Sequence, residues 1–347
     1  MRRLLLTTLA PLLLAVSGAA AQGPVPTTPT PPPPPAPPPA KARVTLAMER
    51  VGHVADPVVL AGHGFRLVGT VTPYVAGQRF HVRYFRGSRI VHAATVPVEA
   101  ALGGKVGRFR LSFRPKARGR LRIGVTHAAT PQMAYAHART PTVEVIGSHA
   151  SYGSHGRTVL IMQRLLRASG YVPGHPGVYD ARTARAVLAF RKMSNLPRTT
   201  TATYRVMHRI VNGGGQFEVR FPHQGRHAEG DLTHQVLALV NGAKVERLYA
   251  ISSGKPSTPT VLGTYRIYQR TPGLLPDGMY YSSFFTGGYA IHGYDPSPTY
   301  PASHGCLRTP MADAHAIYDW LSSGDYVDTY YRSGHHRHPR PSPTAGP

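Results

Sequence analysis

The chain has a single cysteine among its 347 residues. No disulfide can form within it, and no four-thiolate zinc or iron–sulfur site can be built from it. Acidic residues are also scarce: 15 Asp and Glu face 40 Lys and Arg, a formal charge of +25 with only 16 % of residues charged. A soluble domain ordinarily carries about 25 %. Beyond the first residues no apolar run reaches the roughly 18 residues needed to span a bilayer. What is abundant is 36 Gly and 34 Pro. That composition argues against a long helical bundle and for turn-rich β structure with a low-complexity stretch. The length allows two or three domains, each able to bury a core.

Residues 1–21 open with Arg2 and Arg3, run apolar from Leu4 to Val16 and end in Ala19-Ala20-Ala21. This is the pattern of a secretory signal and predicts an exported protein starting at Gln22. The competing reading, a membrane anchor, is opposed by the short apolar core and by Pro11, so no transmembrane helix is expected after cleavage. Residues 22–40 follow, with 11 prolines between Gly23 and Ala40. They are expected to form a stiff polyproline spacer. Short alternating runs such as Phe80 to Tyr84 predict a β-sandwich of immunoglobulin-like type over 41–150. Helical spacing of Val159, Met162 and Leu166, then Ala186, Val187 and Phe190, then Tyr204, Met207 and Val211 predicts a three-helix module over 151–215, with Asp180 as an N-cap. Strand patterns return over 216–332, with one helix after Thr309-Pro310. The Pro- and His-rich tail, 333–347, is expected to be disordered.

The positive charge is uneven. Residues 41–150 hold 17 Lys and Arg against 4 acids, whereas 213–347 hold 11 against 10. Arg108, Arg110, Arg114, Lys116, Arg118, Arg120 and Arg122 are read as crowding one hairpin. In an exported protein such a surface is expected to meet anionic wall polymers and not nucleic acid; a merely solubilising surface is the alternative reading.

The chemistry concentrates in Ala290 to Pro310, which contains His292, His304 and Cys306. An unpaired thiol in an exported protein risks oxidation, so one beside two histidines is a candidate nucleophile. A nearby imidazole can take its proton or stabilise the thiolate. Gly305 permits a tight turn in which its amide and that of Cys306 form an oxyanion hole, and Arg308 can fork onto a substrate carboxylate or pair with Asp313. A buried structural cysteine with surface histidines remains the alternative at this level.

His292-Gly293 followed by Ser303-His304-Gly305-Cys306-Leu307-Arg308 resembles the signature of the L,D-transpeptidase catalytic domain of bacterial peptidoglycan. The resemblance extends over Asp231 to Tyr330, through the hairpin from Gln235 to Gly242 and the turns at Ser252-Ser253-Gly254 and Thr258-Pro259. Residues 157–211 similarly resemble a helical peptidoglycan-binding module, through Gln163, Tyr171, Gly177, Tyr179, Thr183 and Phe190. Arg191 stands there where that module often has Gln. The resemblance implies a β-rich catalytic domain in which Cys306 attacks the carbonyl before the terminal D-alanine of a donor stem, with His292 as general base. It implies Gly305 and Cys306 amides as oxyanion donors, and His304 as a shaper of the loop or a tuner of the thiolate, direct proton transfer being the alternative. Ser303 is counted with the catalytic residues, its alternative being simply to orient a ring nitrogen. Arg308 and Gly293 are counted with the substrate, and Tyr281, Phe285 and Tyr289 as the lining of the stem-peptide groove or, alternatively, core. No metal or organic cofactor is implied. The expected partners are peptidoglycan stem peptides and glycan.

Three rivals to cross-linking stay open: hydrolysis of the same bond, a wall-binding protein without turnover, and a zinc peptidase using His292, His304 and Cys306.

Overall fold

A computed structural model describes residues 36–49, 51–53 and 56–332. The expected signal segment, most of the Pro-rich stretch and the His-rich tail lie outside the described residues. Among the described residues no helix is long and apolar enough to cross a membrane.

The protein is mainly β, and its elements follow one another along the chain in three groups. The first has strands β1 (Arg43–Glu49), β2 (Gly52–His53), β3 (Pro57–Leu60), β4 (Phe65–Thr72), β5 (Arg79–Arg86), β6 (Arg89–Pro97), β7 (Glu99–Ala101), β8 (Val106–Phe113), β9 (Gly119–His127), β10 (Ala136–Arg139) and β11 (Val143–Ile146). They form one sheet in the order β1-β4-β8-β7 and a second in the order β2-β3-β11-β9-β5-β6, with β10 added on β9. Alternation dictates the arrangement: Phe80, Val82 and Tyr84 of β5 and Leu121, Ile123 and Val125 of β9 are buried, and together with Phe65 and Leu67 of the facing sheet they form one core. This is the expected sandwich. Ala40, at the end of the Pro-rich stretch, already pairs with Met133.

The basic stretch from Arg108 to Arg122 is not a hairpin. Its two strands, β8 and β9, belong to different sheets, so the segment crosses the sandwich edge. Its charges therefore divide between two faces, and Arg120 is drawn to Glu144 at 3.5 Å.

The helices are α1 (Arg157–Ala168), α2 (Ala181–Met193) and α3 (Tyr204–Val211). Asp180 caps α2 as expected, accepting from the Thr183 amide at 2.8 Å. Most residues that carry the resemblance to a glycan-binding module are internal. Gln163 is fully buried and bonds His175 O, Val178 O and Thr183 Oγ1, while Tyr171 and Tyr179 are buried. Arg191 is spent on the carbonyls of Pro197 and Thr201.

The third part contains β12 (Arg226–Asp231), β13 (Val236–Asn241), β14 (Lys244–Ala250), β15 (Gly263–Arg266), β16 (Gln269–Leu274), β17 (Tyr280–Thr286), β18 (Tyr289–Gly293), β19 (Leu307–Thr309), helix α4 (Met311–Trp320) and β20 (Tyr326–Tyr330). One sheet runs β14-β13-β12-β20-β15 and the other β16-β17-β18-β19. Leu237, Leu239, Ile291, Leu307, Ile317 and Trp320 belong to the core of this part. The opposite face of the first sheet is covered too: Val236, Ala238, Val240, Leu248 and Ala250 pack into the same apolar cluster as Val187 and Phe190 of α2. The helices are thus built onto the back of the sheet, and Tyr171 bridges to Leu248.

Candidate active site

Strands β18 and β19 run parallel with Ile291 opposite Leu307 and His292 opposite Arg308. Ile291 and Leu307 face the core. By the two-residue period, His292, Cys306 and Arg308 turn to the other side, where they share a cleft of about 590 Å³ with Tyr289, Tyr294 and His304. Cys306 is partly exposed there.

The loop ahead of the cysteine is braced from behind. Ser252 and Arg308 exchange both backbone bonds at 2.9 and 3.0 Å, and the amides of Ala302 and Ser303 donate to Ser253 O. Thr258 Oγ1 donates to Ser303 O and Thr260 Oγ1 to Gly305 O. The two turns that share the family pattern at 252–254 and 258–259 therefore act as a scaffold for Cys306. Ser303 is fully buried and does not orient a ring nitrogen: its hydroxyl donates to Cys306 O at 2.7 Å and accepts from the Gly305 amide at 3.0 Å. The Gly305 amide is consequently committed, and of the expected oxyanion pair only the Cys306 amide remains. Gly305 has φ +123, and a Cβ there would stand 1.8 Å from the Tyr289 ring. Only glycine fits both the angle and the ring.

His292 is 3 % exposed. Its Nδ1 lies 2.9 Å from Gly293 O. A carbonyl only accepts, so Nδ1 carries the proton and Nε2 of the neutral ring keeps its lone pair. Burial, with a smaller push from Arg308, lowers the His292 pKa from its ordinary value, and burial raises that of Cys306. Both groups are therefore neutral at rest. Sγ also approaches Gly288 O at 3.7 Å. Gly293 packs tightly on α4, where a Cβ would meet Ala314 at 2.6 Å, and it serves His292 through its carbonyl, away from the substrate position expected for it.

His304 is exposed, and Lys255 Nζ donates to its Nε2 at 3.2 Å. An ammonium so close opposes a metal ion on that ring. Arg308 lies over Tyr294 at 4.1 Å, and its buried Nε has no partner among the described residues. Asp313 is not its counter-ion: that carboxylate takes a bidentate bond from Arg185 at 2.7 and 3.1 Å and faces Arg182 at 3.2 Å.

Of the aromatic candidates, Tyr289 lines the cleft. Phe285 is 3 % exposed and sits in the core against Tyr265, and Tyr281 packs on α4 against His315 and Tyr318. Bulges at Tyr280/Ser283 and Phe284/Thr286 rotate β17 out of simple alternation, which is why Phe285 and Tyr281 take the core alternative and not the groove. Asp277, Met279 and Tyr294 line the cleft without having been singled out. Asp277 and Met279 come from a turn that carries no motif, whereas Tyr294 directly follows His292-Gly293.

Residues 225–329 match the model of the YkuD family, the L,D-transpeptidase catalytic domain. A solved L,D-transpeptidase from Xylanimonas cellulosilytica, residues 123–326, is 30 % identical over 52 % of this chain and 97 % of its own, with a TM-score of 0.49. The catalytic domain of the L,D-transpeptidase from Enterococcus faecium is 25 % identical over 31 % of this chain and 98 % of its own, with a TM-score of 0.28. No curated protein matches the chain. The matched residues enclose the whole cleft, from Asp277 to Arg308, and on that match residues 225–329 form an L,D-transpeptidase catalytic domain of the YkuD family.

Proposed function

We propose that this protein is an exported cysteine acyltransferase that cross-links peptidoglycan stems. The observation that carries the reading is that Cys306 and a buried His292 line the same cleft, with Nδ1 of the ring committed to Gly293 O and Nε2 left to act as base. Nε2 takes the thiol proton as sulfur attacks the carbonyl preceding the donor's terminal D-alanine, and the Cys306 amide holds the oxyanion. The C–N bond breaks, the imidazolium proton goes to the departing amine and a thioester remains. A side-chain amine of a second stem then attacks, giving up its proton to His292; the C–S bond breaks, and the sulfur is reprotonated as the 3-3 cross-link forms. The cleft suits both reactants: Arg308 offers a guanidinium to the donor carboxylate, and Asp277 a carboxylate to an incoming ammonium.

The purified protein incubated with a disaccharide-tetrapeptide is expected to release D-alanine and yield a dimer by mass spectrometry, and C306A to do neither. Release without dimer would make it a carboxypeptidase, with water as acceptor. Failure to release D-alanine or to form a covalent carbapenem adduct on Cys306 would leave a wall-binding protein without turnover. A chelator-sensitive activity surviving in C306S would favour zinc.

A further inference from the structure

Far along the chain from Cys306, the outer face of the sandwich carries a second cavity, of about 320 Å³, which the reaction does not use. Its shape follows from register. On β5, β9 and β10, Arg83 pairs with Gly124, and Gly124 with Arg139. Three adjacent strands therefore present Arg, Gly, Arg in one row. The strands lie about 4.8 Å apart, so the two arginines rise roughly 10 Å from one another across a position with no side chain. The missing side chain is the notch. A Cβ on Gly124 would meet the Phe85 ring at 3.4 Å and Arg139 Cγ at 4.0 Å, so an aromatic edge forms one wall and an arginine stem the other.

Charge closes the site. Arg122 stands two residues from Gly124 on β9, opposite Phe85, with one bond to Gly87 O at 3.2 Å. The four acids of residues 41–150 are Glu49, Asp56, Glu99 and Glu144. Glu49 is held by Arg66, and Glu144 by Arg120 and Arg157. Arg83, Arg122 and Arg139 have no carboxylate partner among the described residues and converge on one concavity. At its rim Tyr135 is 59 % exposed and lies 5.7 Å from the His137 ring. Three guanidiniums suit several oxyanions, and an open aromatic face beside them suits the apolar side of a sugar ring.

We propose that this notch is a binding site for an anionic saccharide polymer, with the anions on Arg83, Arg122 and Arg139 and a sugar on Tyr135. The chemistry recognised is a repeated oxyanion on a polyol or sugar backbone, supplied as phosphodiester or as carboxylate. It is separate from the catalytic cleft and would hold the enzyme to the polymer while the cleft works.

The test measures binding of the purified protein to poly(glycerol phosphate), to polygalacturonate and, as a neutral reference, to dextran, at fixed salt. G124V fills the notch with a residue favoured in strands and leaves the net charge unchanged. R83Q/R139Q removes two charges from the notch, and R43Q/R110Q removes two from the other sheet. The expected result is at least a tenfold rise in Kd for G124V and R83Q/R139Q, at most a twofold rise for R43Q/R110Q, and unchanged acylation of Cys306 in all three. The polyanion bound more tightly by the parent protein identifies the source. Equal weakening by both double variants, with G124V like the parent, would show diffuse charge and overturn the site. Binding of dextran as tightly as of the polyanions, or of none of the three, would overturn it too.

Discussion

The state of two atoms decides how the candidate site begins its work. Burial works against charge on both Cys306 and His292, lowering the histidine pKa and raising that of the thiol. The resting pair is consequently thiol and imidazole, not thiolate and imidazolium, and in the proposed reaction the proton moves as the carbonyl is attacked. This has a signature. Alkylation of Cys306 by iodoacetamide, a small neutral reagent that does not need the base, is expected to climb with pH through a midpoint above the ordinary thiol value. Substrate acylation is expected to keep its rate down to below pH 6.5, where His292 at last protonates. An alkylation rate already level at pH 6 would mean a preformed ion pair and contradict the assignment. Cys306, His292 and Gly305 were legible in the sequence because the cysteine loop and the strand that ends at His292-Gly293 both fall within Ala290 to Pro310. Asp277 was not, because a side chain delivered by a distant turn leaves no local pattern.

At the scale of elements, the loop from Ala302 to Thr309 is held by its own buried hydroxyl. Ser303 Oγ satisfies the Cys306 carbonyl and the Gly305 amide at once. Removing it leaves two polar backbone groups with a lost partner, a cost of about 1–3 kcal/mol. S303A is therefore expected to lower the denaturant midpoint by that equivalent and to slow acylation, while the pH midpoint of Cys306 alkylation stays close to the parent's. An unchanged midpoint of unfolding would show the hydroxyl to be dispensable. The strands themselves were readable where alternation is clean, as in β5 and β9. They were not readable in β17, where bulges send Phe285 into the core and Tyr281, at φ +50, onto α4. The basic run around Arg114 misled for a different reason: consecutive strands need not be partners, and composition alone does not reveal a crossing between sheets.

For the whole molecule the informative residue is Lys192, at the end of α2. It is 3 % exposed, and Nζ donates to Gln235 O at 3.2 Å and Ile251 O at 2.7 Å, carbonyls at the root of the strand that braces the cysteine loop. Burial, aided by Arg198, pulls its pKa down to about 7. Between that value and the ordinary lysine value the unfolded chain binds more protons than the folded one, so stability rises with pH across this window and is lowest below it. At about 1.4 kcal/mol per unit the effect amounts to a few kcal/mol. K192M has no proton to exchange. The difference in Tm, parent minus K192M, is expected to grow as pH is raised from 6 to 9; a constant difference would refute the buried, half-neutral lysine. Nothing in the sequence distinguished Lys192 from its neighbours, because its burial is created by a sheet that begins more than thirty residues later.

The shared apolar layer between α2 and the β13–β14 face has a further consequence. Helical modules of this kind are often pictured as beads that can be clipped off or exchanged between enzymes. Here such a cut would lay bare Val236, Ala238, Val240, Leu248 and Ala250, a slab of oil-like surface that a lone catalytic fragment would have to hide by sticking to something else. Transplanting this enzyme into another architecture means carrying its helices along, and any wall tether they provide has to use the sides turned away from the sheet.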